Sequence, residues 1–177
     1  INNAGQTWGA PLERFPERAW DAVHHVNVKA PFMLTQGLLP QLLATATDAD
    51  PARIINIGSI YGEATEVQLA YSYTASKAAI HQLTRVLARE LAPRRILVNA
   101  IAPGFFLTAQ NYSLLMGDND TPTPRCQKIL DSTPMGRLGK PEELVGALMY
   151  LVNDDASGFV TGTVMAIDGG FNAFSGV

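Results

Sequence analysis

Three short apolar runs, separated by longer segments with helical spacing, constrain the fold of this 177-residue chain most strongly. The runs occupy residues 53–58, 96–102 and 164–167, and their length and β-branched content are typical of buried strands. Strands that alternate with helices favour crossover connections, which join parallel strands. We therefore predict an α/β fold in a single domain over residues 1–177, with a parallel sheet and helices on both of its faces.

Three other segments carry the apolar periodicity of helices. The first runs from helix-start residues at 11–20 to residue 42, and Pro31 makes it either two helices or one kinked helix. The second covers 73–91, and the third begins at a proline and ends near residue 152, over 141–152. The predicted apolar face of the second helix consists of Ala79, Leu83, Val86, Leu87 and Leu91.

Three connections are predicted to be loops, at 45–51, 61–70 and 105–138. The last is long and rich in proline, and loops longer than about 12–15 residues in a compact domain are usually functional. We therefore predict that residues 105–138 form an irregular, substrate-binding lid. At the other end of the chain, residues 1–5 are typical of a strand end that runs into a turn.

The composition argues for a globular protein and against several functional classes. Hydrophobic residues make up 47% of the chain and charged residues 16%, which is typical of a protein with a substantial core. The net charge of −3 comes without a basic block, so we expect no nucleic-acid partner. No apolar stretch approaches the about 18 residues of a membrane span, so we expect a soluble protein without a membrane partner. The single cysteine, Cys126, excludes an internal disulfide, and its thiol is predicted to be buried or unreactive.

A tyrosine and a lysine suggest a chemical role. On a helix over 73–91, Tyr73 and Lys77 lie one turn apart on the same face. A neighbouring ammonium group favours the phenolate, so it lowers the pKa of a tyrosine from about 10 toward working pH. Such a tyrosine can exchange a proton with a carbonyl or alcohol oxygen, which the hydroxyl of Ser59 could also hold. The three groups predict carbonyl reduction or alcohol oxidation.

The histidines and tryptophans carry weaker signals. His24 and His25 are adjacent and therefore point to different helix faces, and His81 has no carboxylate at ligand spacing. We predict surface or packing roles for all three histidines and no metal site. Trp8 and Trp20 are predicted to make core or subunit contacts.

Six sequence pieces form a series along the chain: Asn2-Asn3-Ala4-Gly5, Asn27, Ser59, Tyr73-x-x-x-Lys77, Pro103-Gly104 followed by Thr108, and Asp168-Gly169-Gly170. In their order and spacing they resemble the short-chain dehydrogenase/reductase family over the entire chain. Within that family, Gly58-Ser59-Ile60 and Pro134-Met135-Gly136-Arg137 are most similar to the 3-oxoacyl-[acyl-carrier-protein] reductases, above all the rhamnolipid-biosynthesis type. Gluconate-type dehydrogenases are near neighbours.

The resemblance implies the C-terminal part of a doubly wound, Rossmann-type parallel sheet in a three-layer α/β/α fold. The family's Gly-rich turn, its first three strands and most of the fourth would precede residue 1, so we expect an N-terminally truncated sequence. That turn binds the pyrophosphate of the cofactor at a helix N-terminus. The residues that choose between NAD and NADP would also lie upstream.

The resemblance also implies four catalytic roles. Tyr73 would be the general acid in reduction, and Lys77 would lower its pKa and bind the nicotinamide ribose. Ser59 would hold and polarise the substrate oxygen. Asn27 would anchor a water that relays protons to Lys77.

The resemblance further implies NADP or NAD as cofactor, with NADP favoured on this ground alone. The implied cofactor-binding residues are Asn3, Ala4, Gly5, Tyr73, Lys77, Pro103, Gly104, Phe106 and Thr108. Among them, Asn3 is expected to tie neighbouring strands together. Phe106 is expected to contact the carboxamide through its backbone.

The predicted reaction is hydride transfer between NAD(P)H and a ketone or secondary alcohol, with a 3-oxoacyl thioester as the leading substrate. One alternative is a sugar-acid or polyol dehydrogenase of the same family. Another is a truncated, non-catalytic chain that acts only through subunit association. The resemblance implies a homodimer or homotetramer at full length. A cytoplasmic location is a separate expectation.

Overall fold

The computed structural model describes residues 1–64 and 69–174. In this part of the chain, β1 (Ala52–Ile57), β2 (Ile96–Pro103) and β3 (Val164–Ile167) form a parallel sheet in the order β1-β2-β3. Each strand lies within one residue of its predicted position at both ends. The predicted α/β class and parallel sheet are confirmed.

Seven α-helical segments accompany these strands in the described residues. In chain order they are α1 (Glu17–His24), α2 (Ala30–Thr45), α3 (Tyr71–Leu91), α4 (Tyr112–Leu115), α5 (Pro124–Asp131), α6 (Val145–Val152) and α7 (Asp154–Ser157). Short 3-10 turns lie at Leu12–Arg14, Ile60–Gly62, Ala92–Arg94, Asp118–Asp120, Pro141–Leu144 and Phe171–Ala173. The predicted loop 61–70 includes residues 65–68, which lie outside the described residues.

Helices cover both faces of the sheet because alternate strand residues point to opposite sides. On one face, Ile54 and Val98 pack against α2 and α3 in a cluster that includes Leu87. On the other face, Ile55 packs with Leu151 of α6. The layers therefore follow the predicted α/β/α order.

Asn2 extends the sheet beyond β1. Its N–H donates to the carbonyl of Ile55 at 2.8 Å, and its own carbonyl accepts from the N–H of Ile57 at 3.0 Å, as in a parallel ladder. Its side-chain amide donates to Oδ1 of Asn56 at 2.8 Å. The predicted tie between neighbouring strands is thus made by Asn2 and not by Asn3, which is exposed, since successive residues of an extended segment point to opposite sides.

The first long helix continues from α1 into α2 through a π-helical turn, His25–Lys29. Within it, the N–H of Ala30 donates to the carbonyl of His25, five residues back. Pro31 accounts for this turn, because it has no N–H for the carbonyl of Asn27 and its ring would clash there in a regular α-helix. The predicted interruption is therefore a widened turn before Pro31, and the helix does not break.

The segment 105–138 contains more regular structure than predicted. It includes α4 and α5, and Oγ1 of Thr123 caps α5 by accepting from the N–H of Cys126 at 3.2 Å. Buried Leu115, Cys126 and Ile129 hold the two helices together. The prediction of an irregular segment is wrong for α5, since a Thr-Pro pair that starts a helix resembles loop chemistry in a sequence. Cys126 is buried, as predicted, and burial raises the pKa of its thiol.

Two further helix boundaries differ from the prediction. α3 begins at Tyr71, two residues before the predicted start. The predicted helix 141–152 begins as the 3-10 turn and continues as α6, and α7 was not predicted. Oδ1 of Asn153 caps α7 by accepting from the N–H of Ala156 at 3.2 Å. Among the described helices, none combines the length and apolar character that a membrane crossing requires.

Several apolar side chains are exposed where burial was expected. Trp8 is 42% exposed and Trp20 is 41% exposed, so neither lies in the core, and the predicted alternative of a subunit contact stays a prediction. Val86 is 51% exposed and does not belong to the buried face of α3, because it points away from the cluster around Leu87. The exposed large apolar residues on α2 are Phe32, Met33, Leu34, Leu38 and Leu43.

Candidate active site

Ser59 lies just beyond the carboxyl end of β1, where ligands bind in open parallel sheets. It is only 6% exposed, and its Oγ accepts from the N–H of Tyr61 at 3.2 Å. This bond caps the 3-10 turn Ile60–Gly62 and fixes the position of the hydroxyl oxygen. A hydroxyl held in this way still has its proton for a substrate oxygen.

The structure brings Lys77 beside Tyr73 on the first turns of α3. The ammonium nitrogen lies 5.5 Å from the centroid of the Tyr73 ring and donates to the carbonyl of Ile57 at 2.8 Å. Because Ile57 ends β1, this bond joins α3 to the strand that leads to Ser59. The side chain of Lys77 is buried, and burial lowers its pKa to about 8.

The depressed pKa of Lys77 should be visible by NMR. In the natural full-length protein without cofactor, we expect Lys77 to titrate near pH 8, whereas the urea-unfolded chain should titrate near 10.5. Since the unfolded chain then holds more protons between these values, the contribution of Lys77 to stability should rise with pH across that window. A lysine spectrum without a titration well below the ordinary value would contradict the prediction.

Asn27 connects the N-terminal segment to α3 from within the π-helical turn. It is buried, and its side-chain amide donates to the carbonyl of Gln6 and to Oγ of Ser76, each at 2.9 Å. Its Oδ1 accepts from the N–H of Gln6 at 2.8 Å. Ser76 in turn donates to the carbonyl of Tyr73 at 2.7 Å. Asn27 thus positions the residues around Tyr73 and the segment that follows Gly5.

We expect Asn27→Ala to destabilise the protein by about 2–4 kcal/mol, because it leaves buried partners on Gln6 and Ser76 without their bonds. The matched control is Asn153→Ala, which removes one exposed cap bond and should cost about 1 kcal/mol. Urea unfolding of both variants in the natural full-length protein measures the difference. Equal losses would contradict the structural role of Asn27.

The predicted cofactor turn, Asn3 to Gly5, is exposed beside these catalytic candidates. A Cβ atom placed on Gly5 would lie 3.9 Å from Oδ1 of Asn27 and 4.0 Å from Nζ of Lys77. Ala4 has a small side chain and Gly5 has none, so this surface is open and a dinucleotide can approach it. The turn and Lys77 therefore lie close enough to serve one ligand.

The second predicted cofactor segment lies at the carboxyl end of β2. The N–H of Gly104 donates to the carbonyl of Ile167 at 2.9 Å, and a Cβ atom there would approach Cα of Asp168 to 2.8 Å. Only glycine permits this contact between the turn after Pro103 and the turn after β3. The structure thus brings Pro103 and Gly104 against the Asp-Gly-Gly turn.

Asn111 is a positioning residue that the sequence prediction missed. Its side-chain amide donates to the carbonyl of Phe106 at 2.7 Å, and its Oδ1 accepts from the N–H of Thr108 at 2.8 Å. It therefore fixes the backbone at Phe106 and Thr108, two of the predicted cofactor-binding residues. The signal in the sequence was an asparagine three residues after a threonine, a common turn pattern of low specificity.

His81 is the second missed positioning residue. Its ring is buried between Gly58 and Gly62, and its Nε2 accepts from the N–H of Ser59 at 3.4 Å. Burial lowers its pKa to about 4, with further lowering by the charges of Arg85 and Lys77, so the ring is neutral near pH 7.

The prediction of a packing role for His81 agrees with its burial. A carboxylate does lie nearby, however, since Oε1 of Glu63 is 3.7 Å from Nδ1 of His81. His24 stacks on Trp20, and its Nδ1 lies 3.0 Å from the carbonyl of that residue. Within residues 1–64 and 69–174, no three His, Cys, Asp or Glu side chains are grouped as metal ligands would be.

An aromatic cavity of about 340 Å³ adjoins this site. Its walls include Tyr61, Phe105 and Phe171, whose rings meet edge to face with centroids 5.3 to 6.5 Å apart. These residues follow β1, β2 and β3 respectively, so the cavity lies at the carboxyl edge of the sheet.

The chain is similar to known proteins over nearly its whole length. The family described as Enoyl-(Acyl carrier protein) reductase matches residues 1–172. The rhamnolipids biosynthesis 3-oxoacyl-[acyl-carrier-protein] reductase of Pseudomonas aeruginosa is 44% identical over 97% of this chain. The chain spans 65% of the length of that relative.

Solved structures share the fold as well. The Pseudomonas aeruginosa RhlG/NADP active-site complex has a TM-score of 0.85 and 43% identity, covering 96% of this chain and 64% of its own. A Haemophilus influenzae protein with bound NAD, described as a candidate D-mannonate oxidoreductase, has a TM-score of 0.90 and 36% identity. It covers 100% of this chain and 68% of its own.

Proposed function

Because the chain belongs to the short-chain dehydrogenase/reductase family, we propose that it supplies the catalytic part of an NAD(P)-dependent oxidoreductase that interconverts a ketone and a secondary alcohol. The observation that carries this proposal is the burial of Lys77 one helical turn from Tyr73, with Ser59 at the end of the adjoining strand. When bound, NAD(P)H supplies the hydride.

The proposed chemistry of the chain is proton transfer and orientation. Tyr73 donates its phenolic proton to the substrate oxygen during reduction, and the Ser59 hydroxyl donates a hydrogen bond to the same oxygen. The positive charge of Lys77 stabilises the phenolate that remains.

The proposed role of Asn27 in proton relay rests on its backbone. The side chain already bonds Gln6 and Ser76, so the relay water would meet the carbonyl oxygen instead. That oxygen lacks its usual α-helical donor, since residue 31 is a proline.

The residues that would hold the cofactor are the predicted set: Asn3, Ala4, Gly5, Tyr73, Lys77, Pro103, Gly104, Phe106 and Thr108. The open turn beside Lys77 supports the first part of this set. Since one neighbouring structure holds NADP and another NAD, we propose NADP with NAD as the alternative.

The leading substrate class is a 3-oxoacyl thioester, supported by the 44% identical reductase and by apolar residues in the predicted lid 105–138. A sugar acid is the second class, supported by the structural neighbour described as acting on D-mannonate. We also propose assembly into a homodimer or homotetramer, which the exposed apolar residues of α2 support. The third possibility is a chain that acts only through such assembly.

The test is a nicotinamide absorbance assay on the natural full-length protein, with NADPH or NADH and with acetoacetyl-CoA or 5-keto-D-gluconate. We expect turnover of at least one ketone with one cofactor. Light scattering on the same sample measures assembly. An assembled protein that binds neither cofactor and turns over neither ketone would favour the non-catalytic alternative.

A further inference from the structure

The aromatic cavity beside Ser59 carries a feature that the proposed reaction does not use. One wall is formed by α5 with Pro124, Arg125, Lys128 and Ile129, and by Ser132, the residue that follows the helix; four of them, at 125, 128, 129 and 132, are regularly spaced. These positions are spaced i, i+3, i+4 and i+7, so they share one side of the helix. Of the described residues that line the cavity, two are cationic and none is acidic.

The helix that carries the two cations, α5, packs against α4. Ile129, between them and the core, is 5% exposed and packs with Leu115 and Cys126. The neighbouring carboxylate, Asp131, accepts from the side-chain amide of Gln127 at 2.8 Å and is not part of the cavity wall. Both cations are exposed on the surface of α5.

The rest of the lining is aromatic, and one of its residues, Tyr61, also contacts Ser59. The N–H of Tyr61 donates to Oγ of Ser59, and the Tyr61 ring lines the cavity together with Phe105 and Phe171. A ligand held at Ser59 can therefore extend along the aromatic wall toward α5. A guanidinium and an ammonium at the far end suit a carboxylate or a phosphate.

We propose that this cavity selects ketone substrates that carry an anionic group, a carboxylate or a phosphate, which pairs with Arg125 and Lys128. The inference rests on the proposed function, since it places the ketone at Ser59 and Tyr73. The volume of about 340 Å³ lies within the about 300–1,000 Å³ typical of ligand pockets.

The test uses two pairs of ligands that differ in charge. 5-Keto-D-gluconate is compared with the uncharged ketose L-sorbose, and S-acetoacetyl-4′-phosphopantetheine with S-acetoacetyl-pantetheine. Each is measured on the natural full-length protein, wild type and Arg125→Met/Lys128→Met, by turnover with NAD(P)H and by titration calorimetry. Arg89→Met, which removes an exposed cation at the distant end of α3, is the control.

For at least one pair, we expect the double variant to raise KM and Kd of the anionic member about tenfold or more, as loss of ion pairing predicts. The kcat value and the binding of the uncharged member should change less than about twofold, and Arg89→Met should change neither. An effect confined to the sugar pair identifies a carboxylate, and one confined to the thioester pair identifies a phosphate. Equal effects on charged and uncharged members, or no effect on either, would overturn the proposal.

Calorimetry separates this proposal from the proposed function. If the wild type turns over no ketone but prefers an anionic ligand, and the double variant loses that preference, only the proposed reaction fails. If the wild type turns over ketones and binds both members of each pair equally, the anion site fails and the reaction stands. A wild type that binds neither pair overturns the anion site.

Discussion

Replacing Tyr73 with phenylalanine should lower kcat for ketone reduction by about 10²–10⁴-fold, the range for losing a positioned general acid. The change removes one oxygen atom and keeps the ring beside Lys77, whose ammonium nitrogen lies 5.5 Å from the ring centroid. Thermal unfolding should therefore remain close to that of the wild type. The measurement is steady-state turnover of the natural full-length protein with its best ketone.

Tyr71 offers a matched control, because it also lies on the first turn of α3. Its ring meets Phe15 edge to face at 5.7 Å, a contact that phenylalanine preserves. Tyr71→Phe should leave kcat within about threefold of the wild type, since no general-acid role is assigned to its hydroxyl. A Tyr73→Phe enzyme as active as Tyr71→Phe would remove Tyr73 from the mechanism.

Replacing Gly58 with alanine should destabilise the protein by about 3 kcal/mol and reduce turnover, because there is no room for a methyl group. A Cβ atom at this position would lie 2.2 Å from Nε2 of His81 and 3.4 Å from the carbonyl oxygen of Ile101. His81 is itself enclosed by Gly62, so its ring cannot move aside without displacing the turn that carries Ser59. Chemical denaturation and kcat of the full-length variant measure the two effects.

A double-mutant cycle identifies the cause. In Gly58→Ala/His81→Ala the smaller side chain makes room for the methyl group, so the combined loss should be at least 1 kcal/mol smaller than the sum of the single losses. Gly37→Ala is the control on α2. Among the described residues outside the adjoining helix backbone, no atom lies within 4 Å of a Cβ atom added there, so the change should stabilise the helix by about 0.5–1 kcal/mol. Additive losses in the cycle would mean that His81 is not what excludes the methyl group.

The sequence predicted the elements whose signal is local. The strands are short β-branched runs between helical segments, and each was located within one residue. The signal is strongest for β2, which is buried over nearly its whole length. The pair Tyr73–Lys77 was equally visible, since the spacing of four residues places both on one side of any helix.

Contacts between distant parts of the chain were not visible in the same way. The side-chain bond from Asn2 to Asn56 depends on which residue of the first segment faces β1. A shift of one residue would turn Asn3 toward β1 instead. The roles of His81 and Asn111 depend on partners that only the folded backbone brings near. The cationic face of α5 was missed because the helix itself was not predicted. Without a helix, the spacing of Arg125 and Lys128 does not indicate that they share a face.

The π-helical turn His25–Lys29 also bears on how this protein can change during evolution. A π turn accommodates one residue more than the corresponding α-helical turn. Deleting a single residue there would remove the extra residue of the turn while Pro31 stays in place, so the proline ring would meet the carbonyl of the preceding turn. The bonds of Asn27 to Gln6 and Ser76 start from this turn, so the same deletion would disturb them. We therefore expect a change of chain length to be tolerated between α2 and β1, at residues 46–51, and to destabilise the protein between residues 25 and 29.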